Sequence, residues 1–160
     1  MSINIPKLIL SISLCLGAGI IGSFFTVSSI PTWYATLNKP SFSPPNWVFG
    51  PVWTILYILM GISLYLVWTK KNPLITLRAM GVPAIFWVQL ILNTTWSILF
   101  FGTENPTLAL FDVVALWIAI LLTIKSFYKI SKLAAYLLYP YLAWVTFAAL
   151  LNLSIVILNP

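Results

Sequence analysis

Five stretches of this chain are apolar for about twenty residues at a time, separated by polar or proline-rich connections. They run from Leu8 to Val27, Trp47 to Trp68, Met80 to Phe101, Pro106 to Ile124 and Leu133 to Leu158. A hydrocarbon core about 30 Å thick needs about 20 apolar residues per helical crossing, so each stretch reaches or approaches a membrane-spanning helix. Membrane strands would instead be segments of about 10 residues with alternating polarity, and no such alternation runs along the chain. The pattern predicts an all-α membrane protein: a five-transmembrane-helix bundle forming a single domain over residues 1–160. The first stretch follows Lys7 as the apolar region of a signal peptide would. It is too long for that and lacks a small-residue cleavage site, so it reads as a retained helix.

Composition narrows the solvent. Hydrophobic residues make up 61% of the chain and charged ones 6%, with a mean hydropathy of +1.04. Soluble domains carry roughly a quarter charged residues, so this surface is suited to lipid. Charge then orients the bundle. Lys7 precedes the first stretch, Lys70, Lys71 and Arg78 follow the second, and Lys125, Lys129 and Lys132 follow the fourth. The opposite connections hold only Lys39 and Glu104. Excess Lys and Arg mark the cytoplasmic side, which predicts an N-terminus inside and a C-terminus outside. The choice between an inner and an outer membrane is not encoded in this pattern. The cations sit singly at helix ends rather than in a patch, so the net charge of +6 does not point to nucleic acid.

The longest connection, residues 28–46, contains Pro31, Pro40, Pro44 and Pro45. Prolines restrict their own φ and the residue before them, so an ordered, ligand-capping loop over the helix ends is expected. Pro140 falls early in the fifth stretch and should bend it or make its first turn irregular. On the first stretch Cys15, Gly19 and Ser23, and likewise Ala18 and Gly22, are four apart. Small residues at that spacing permit close helix contact, within the bundle or between protomers.

Polar groups inside hydrocarbon are costly and face the bundle interior or a cavity. Gln89, Asn93, Trp96 and Phe100 share one face of the third helix, and Tyr141, Trp144, Ala148 and Asn152 one face of the fifth. Trp53, Tyr57, Met60 and Leu64 do the same on the second. Converging, these stripes would wall a pocket for a planar apolar ligand. The same amides, Gln89, Asn93 and Asn152, equally suit hydrogen bonds between helices. Trp33, Tyr34, Trp47 and Trp68 lie near the predicted interfaces, where an aromatic belt accounts for them. Asp112, the one carboxylate within a helix, reads either as a proton or ligand contact or as an interhelical hydrogen bond.

The chain has no histidine and one cysteine, Cys15. That argues against a disulfide framework and the usual metal sites and general bases. No carboxylate pair, phosphate-binding glycine loop or serine-based triad is visible either, so conventional hydrolase, kinase and metalloenzyme chemistry is not expected and no cofactor is required.

Three long blocks carry a resemblance. Residues 33–61 read WYATLNKPSFSPPNWVFGPVWTILYILMG, residues 89–102 QLILNTTWSILFFG, and residues 137–152 LLYPYLAWVTFAALLN, with Asp112 between the last two. In this order, over nearly the whole chain, they resemble the TspO/MBR family, the tryptophan-rich sensory proteins and mitochondrial translocator proteins. The resemblance implies a five-helix bundle, often a homodimer, with a pocket beneath the first loop. It also implies binding of porphyrins such as protoporphyrin IX and haem, of isoquinoline and benzodiazepine-type ligands and, in animals, of cholesterol. By matching positions, Trp53 and Trp144 correspond to tryptophans linked in the family to light-dependent porphyrin degradation, and are catalytic only if that reaction occurs here. Trp33, Asn93, Trp96 and Ala148 fall at pocket-side positions. Taken with the stripes, the expected ligand-binding set is Trp33, Trp53, Tyr57, Asn93, Trp96, Tyr141, Trp144 and Ala148. Two departures matter. The chain's last residues, LSIVILNP, lack the Tyr and the Lys or Arg of the animal cholesterol motif, and Leu108 stands where animal members carry a pocket tryptophan.

The expected function is therefore a membrane protein that binds tetrapyrroles in order to sense, sequester or dispose of them, with lipid and a second copy of the chain as its other partners. The alternatives are a light-dependent porphyrin-degrading enzyme and a carrier of porphyrins or other apolar ligands. Protoporphyrin IX or haem enters as ligand.

Overall fold

The computed structural model describes residues 3–70 and 82–160. Five long apolar helical segments cross from one end of the bundle to the other, and the described residues contain no strand. The first, α1 (Ile5–Ser29), starts where Asn4 accepts a hydrogen bond from the Lys7 amide and Pro6 occupies the first turn. Both are ordinary helix-start chemistry. It is longer at both ends than the apolar run Leu8–Val27, because polar capping residues ride on the helix beyond the stretch that hydropathy marks. A short α2 (Trp33–Thr36) lies within the proline-rich connection. A 3₁₀ turn (Asn46–Val48) then leads into α3 (Phe49–Trp68).

The third crossing begins at Ala84, after Pro83. Met80, where the sequence starts it, lies outside the described residues, as do Lys71 and Arg78. It runs as α4 (Ala84–Ser97) and ends in a π-helical turn, Ile98–Gly102, in which the Thr103 amide reaches back to the Ile98 carbonyl at 2.8 Å. The fourth, α5 (Pro106–Tyr128), is capped by Asn105, which accepts from the Leu108 amide at 2.9 Å. It runs a turn past Ile124, carrying Lys125 beyond the apolar run. The fifth crossing is not continuous as far as Leu133–Leu158 goes. It is broken into α6 (Lys132–Tyr136) and α7 (Tyr139–Leu158). The cause is Pro140, whose ring excludes the carbonyl of Tyr136 four residues back. The irregular start expected from that proline is what the structure shows.

The helices form a ring. α1 packs on α3 and α4, α4 on α5, and α5 on α6 and α7, while α6 closes against α3. Contact between α3 and α7 themselves is sparse. Gly61 lets α1 and α3 approach closely, since a Cβ there would lie 2.5 Å from the Ile12 Cα. Met60, Leu64, Phe86, Ile120, Phe127 and Val145 fill the ring. The outward faces are apolar as well: Phe24, Ile91 and Phe111 are all more than 60% exposed. Such a surface is stable only in lipid.

Alternating crossings give the bundle two unlike ends. At one, the Asn4 amide donates to the Tyr65 hydroxyl at 3.0 Å, Phe86 stacks on Phe127 at 5.5 Å, and Lys7, Lys125, Lys129 and Lys132 gather. We call this the basic end. At the other, the loop end, the connection 30–45 is fastened to the end of α7. There the Asn38 amide donates to the Asn159 Oδ1 at 2.9 Å and the Asn159 Nδ2 returns a bond to the Asn38 carbonyl at 3.0 Å.

Candidate ligand-binding site

A cavity of about 420 Å³ opens in the loop-end half of the bundle, between α1, the first half of α3 and the end of α4. Its flat walls are Phe49, Trp53 and Tyr57 from α3, and Trp96, Phe100 and Phe101 from α4 and its π turn. Trp53 lies 5.7 Å from Tyr57 at an interplanar angle of 30°, and Trp96 stacks on Phe100 at 5.3 Å and 27°. The π turn matters here. Widening the helix by a residue lets both Phe100 and the adjacent Phe101 reach the cavity wall, and such turns recur at functional sites. Across from these rings α1 contributes a thin, weakly polar wall that includes Gly19, Ser23 and Thr26.

Gly19 sets the depth of this wall. A Cβ there would overlap the Tyr57 ring, which lies against the bare backbone of α1. The Tyr57 hydroxyl in turn donates to Asn93 Oδ1. Asn93 Nδ2 donates to the Tyr141 hydroxyl at 2.8 Å, and that hydroxyl donates to Gln89 Oε1 at 3.0 Å. A buried chain of hydrogen bonds thus ties α3, α4 and α7 together behind the cavity. A second tie runs from Trp96 Nε1 to Asn152 Oδ1 at 3.1 Å, and from Asn152 Nδ2 to the Pro106 carbonyl at 2.8 Å. Gln89, Asn93 and Asn152 therefore serve as interhelical hydrogen-bonding groups, each costly to bury unpaired.

Of the eight residues expected to bind ligand, Trp53, Tyr57 and Trp96 line this cavity. The other five stand behind it or beside it. Asn93 and Tyr141 belong to the buried chain. Trp33 packs edge-on against Phe100 at 5.6 Å. Trp144 packs against Phe49 at 6.0 Å and Phe147 at 5.3 Å, and Ala148 is buried on the inward face of α7. The lining that the stripes do not include comprises the α1 wall, Phe49 and Phe101, together with residues such as Tyr34, Trp47 and Thr54. The signal for α1 was present in the four-residue spacing of Gly19 and Ser23, which reads equally well as helix packing. Both uses occur: Gly22 sits against Ser97 at packing distance, whereas Ser23 faces the cavity.

The connection over the loop end is ordered by Tyr34. Its ring is buried 5.7 Å from Phe101, and Lys39 Nζ stands 4.7 Å above its face. Burial pushes the phenol above its ordinary pKa, opposed in part by a hydrogen bond with Ser43. Among the described residues four buried side-chain polar atoms have no hydrogen-bond partner: Ser29 Oγ, Trp87 Nε1, Asp112 Oδ2 and Trp144 Nε1. Among the described residues no group of Cys, Asp or Glu side chains has the arrangement of a metal site.

A five-crossing helical membrane protein with an aromatic cavity at one end is thus the class that fold and site define. The TspO/MBR family model matches residues 11–158. The chain is 51% identical to the tryptophan-rich protein TspO of Archaeoglobus fulgidus, over 98% of its own length and 99% of that protein's. It is 43% identical to the human translocator protein over 82% of this chain and 78% of that one. With the tryptophan-rich sensory protein of Cereibacter sphaeroides it shares 37% identity over 79% and 77% of the two lengths. The chain belongs to the TspO/MBR family, and it is an integral membrane protein.

Proposed function

We infer that this protein is a membrane receptor for flat, largely apolar ligands, tetrapyrroles foremost, and that it senses, sequesters or disposes of them. The observation that carries the reading is the pairing of two aromatic walls, Trp53 with Tyr57 and Trp96 with Phe100, around one cavity of about 420 Å³. Small-molecule sites are commonly about 300–1,000 Å³, mostly apolar, with a few placed polar groups. Here Ser23, Thr26 and Thr54 provide those groups. Planar conjugated ligands gain from offset stacking on such rings. Lys39, held over Tyr34, which lines the cavity, would supply a cation to a ligand carboxylate in this reading. The lysines of the basic end favour a cytoplasmic orientation for that end, which turns the cavity toward the opposite side.

Titration of the purified chain in nanodiscs with protoporphyrin IX, in darkness, tests this. Saturable quenching of tryptophan fluorescence is the expected result. A linear, unsaturable decrease would exclude a defined site. A second reading, light-driven degradation of the bound porphyrin, is favoured by Trp53 standing in the cavity wall. Under illumination it requires a new absorbing product that disappears in Trp53→Phe.

A further inference from the structure

The basic end carries a feature chemically unlike the cavity. Tyr128 at the end of α5, Tyr136 at the end of α6 and Tyr139 at the start of α7 form a row of half-exposed rings. Their centroids lie 6.1 Å and 6.0 Å apart, and the second pair is stacked. Lys125, Tyr128 and Lys129 share one face of α5 by their spacing of three and four. Lys132 brings its ammonium 5.6 Å from the Tyr128 ring centre. The chain's two carboxylates, Glu104 and Asp112, are both at or near the loop end, so no acidic side chain compensates these three cations. Further along the same face of α5, Phe111, Val114, Ile118 and Leu122 form an exposed apolar stripe that leads to Lys125.

We propose that the elbow between α5 and α7 is a binding site for one anionic phospholipid. Its acyl chains lie along the stripe from Phe111 to Leu122, its phosphate sits among Lys125, Lys129 and Lys132, and the phenols of Tyr128 and Tyr136 flank the headgroup as donors. An interfacial aromatic belt spaces its rings around a bundle. These three instead form a continuous row at a single elbow, with the Lys132 ammonium over Tyr128 and Lys125 and Lys129 on the Tyr128 face of α5. Basic pockets at the cytoplasmic ends of membrane helices suit anionic headgroups. A zwitterionic lipid is a poorer fit, because its own cation meets the lysines.

Native mass spectrometry of the full chain, released from micelles containing equal amounts of phosphatidylglycerol and phosphatidylcholine, tests the site. One phosphatidylglycerol should be retained per chain, with a preference of about ten-fold or more, as expected for two or three lysines near a phosphate. Lys129→Gln and Lys132→Gln should each weaken retention about five-fold. Tyr136→Ala should weaken it with the charge unchanged. Lys7→Gln removes a cation at the same end that sits over Trp68 rather than at this elbow, and should leave retention as it was. Equal retention of the two lipids overturns the proposal. So does an unaltered result for Tyr136→Ala, or a loss in Lys7→Gln equal to that in Lys129→Gln, since either outcome describes a diffuse potential and not a site.

Discussion

The Tyr57 hydroxyl donates to the side-chain carbonyl of Asn93, so a wall of the cavity on α3 is tied to the buried polar centre on α4. Tyr57 cannot turn away from its place without breaking that bond, and Asn93 is held in turn by Tyr141. Tyr57→Phe keeps the ring and removes only the bond. Interhelical hydrogen bonds in membranes contribute about 0.6 kcal/mol on average and about 1.7 at most. Thermal unfolding in a fixed detergent should show a drop of a few degrees, and a larger one for Asn93→Ala, which cuts two bonds. Unchanged melting in both variants would mean that the chain of bonds adds nothing to stability.

Gly19→Ala should act through Tyr57. The added methyl overlaps the ring, and overpacking of this kind costs about 1–3 kcal/mol. Relief by moving the ring into the cavity should raise the porphyrin Kd about ten-fold. A variant that binds and melts as the parent does would show that the α1 wall is loose at this point.

The Asn38–Asn159 clasp fastens the proline-rich connection to α7. Both residues belong to the loop end, and their bonds are exposed, so Asn159→Ala should cost no more than about 1 kcal/mol. Its effect should be local. Amide hydrogen exchange of residues 33–45 should speed up while the helices keep their protection. Equal exchange in parent and variant would contradict a fastened connection.

Tyr34 gives a pH dependence. Its phenol is raised above the ordinary value of about 10 by burial. A group whose pKa is higher folded than unfolded contributes stability that is present below the unfolded value and lost as pH rises through the folded one. The packing of the loop against Phe100 and Phe101 should therefore persist at neutral pH and fail only above pH 10. Ultraviolet titration of the parent against Tyr34→Phe checks this, and an ionisation below 10 assigned to Tyr34 would refute it.

Much of this architecture was legible in residue order, for identifiable reasons. Twenty apolar residues in a row determine a crossing almost alone, and Pro140 announced the break between α6 and α7. Trp53, Tyr57 and Trp96 stood out because aromatic and polar residues recur at helical spacing there. The role of α1 was harder to read. Gly19 and Ser23 shape the cavity by being small, and small residues carry the same pattern whether they admit a neighbouring helix or a ligand. Nor does periodicity state which helices are neighbours. The Asn93 and Tyr141 stripes do point inward, but there the two side chains meet each other.

The central claim is that a flat ligand occupies the space between α1, α3 and the end of α4. Ser23→Phe tests it most directly, because Ser23 is exposed on the α1 wall and a phenyl group there fills the cavity without crowding the core. Dark titration with protoporphyrin IX should show binding weakened at least ten-fold in Ser23→Phe at unchanged melting temperature, and nearly retained in Trp144→Phe, whose ring lies behind Phe49. Binding lost in Trp144→Phe but intact in Ser23→Phe would contradict the account and move the ligand to the seam between α3 and α7.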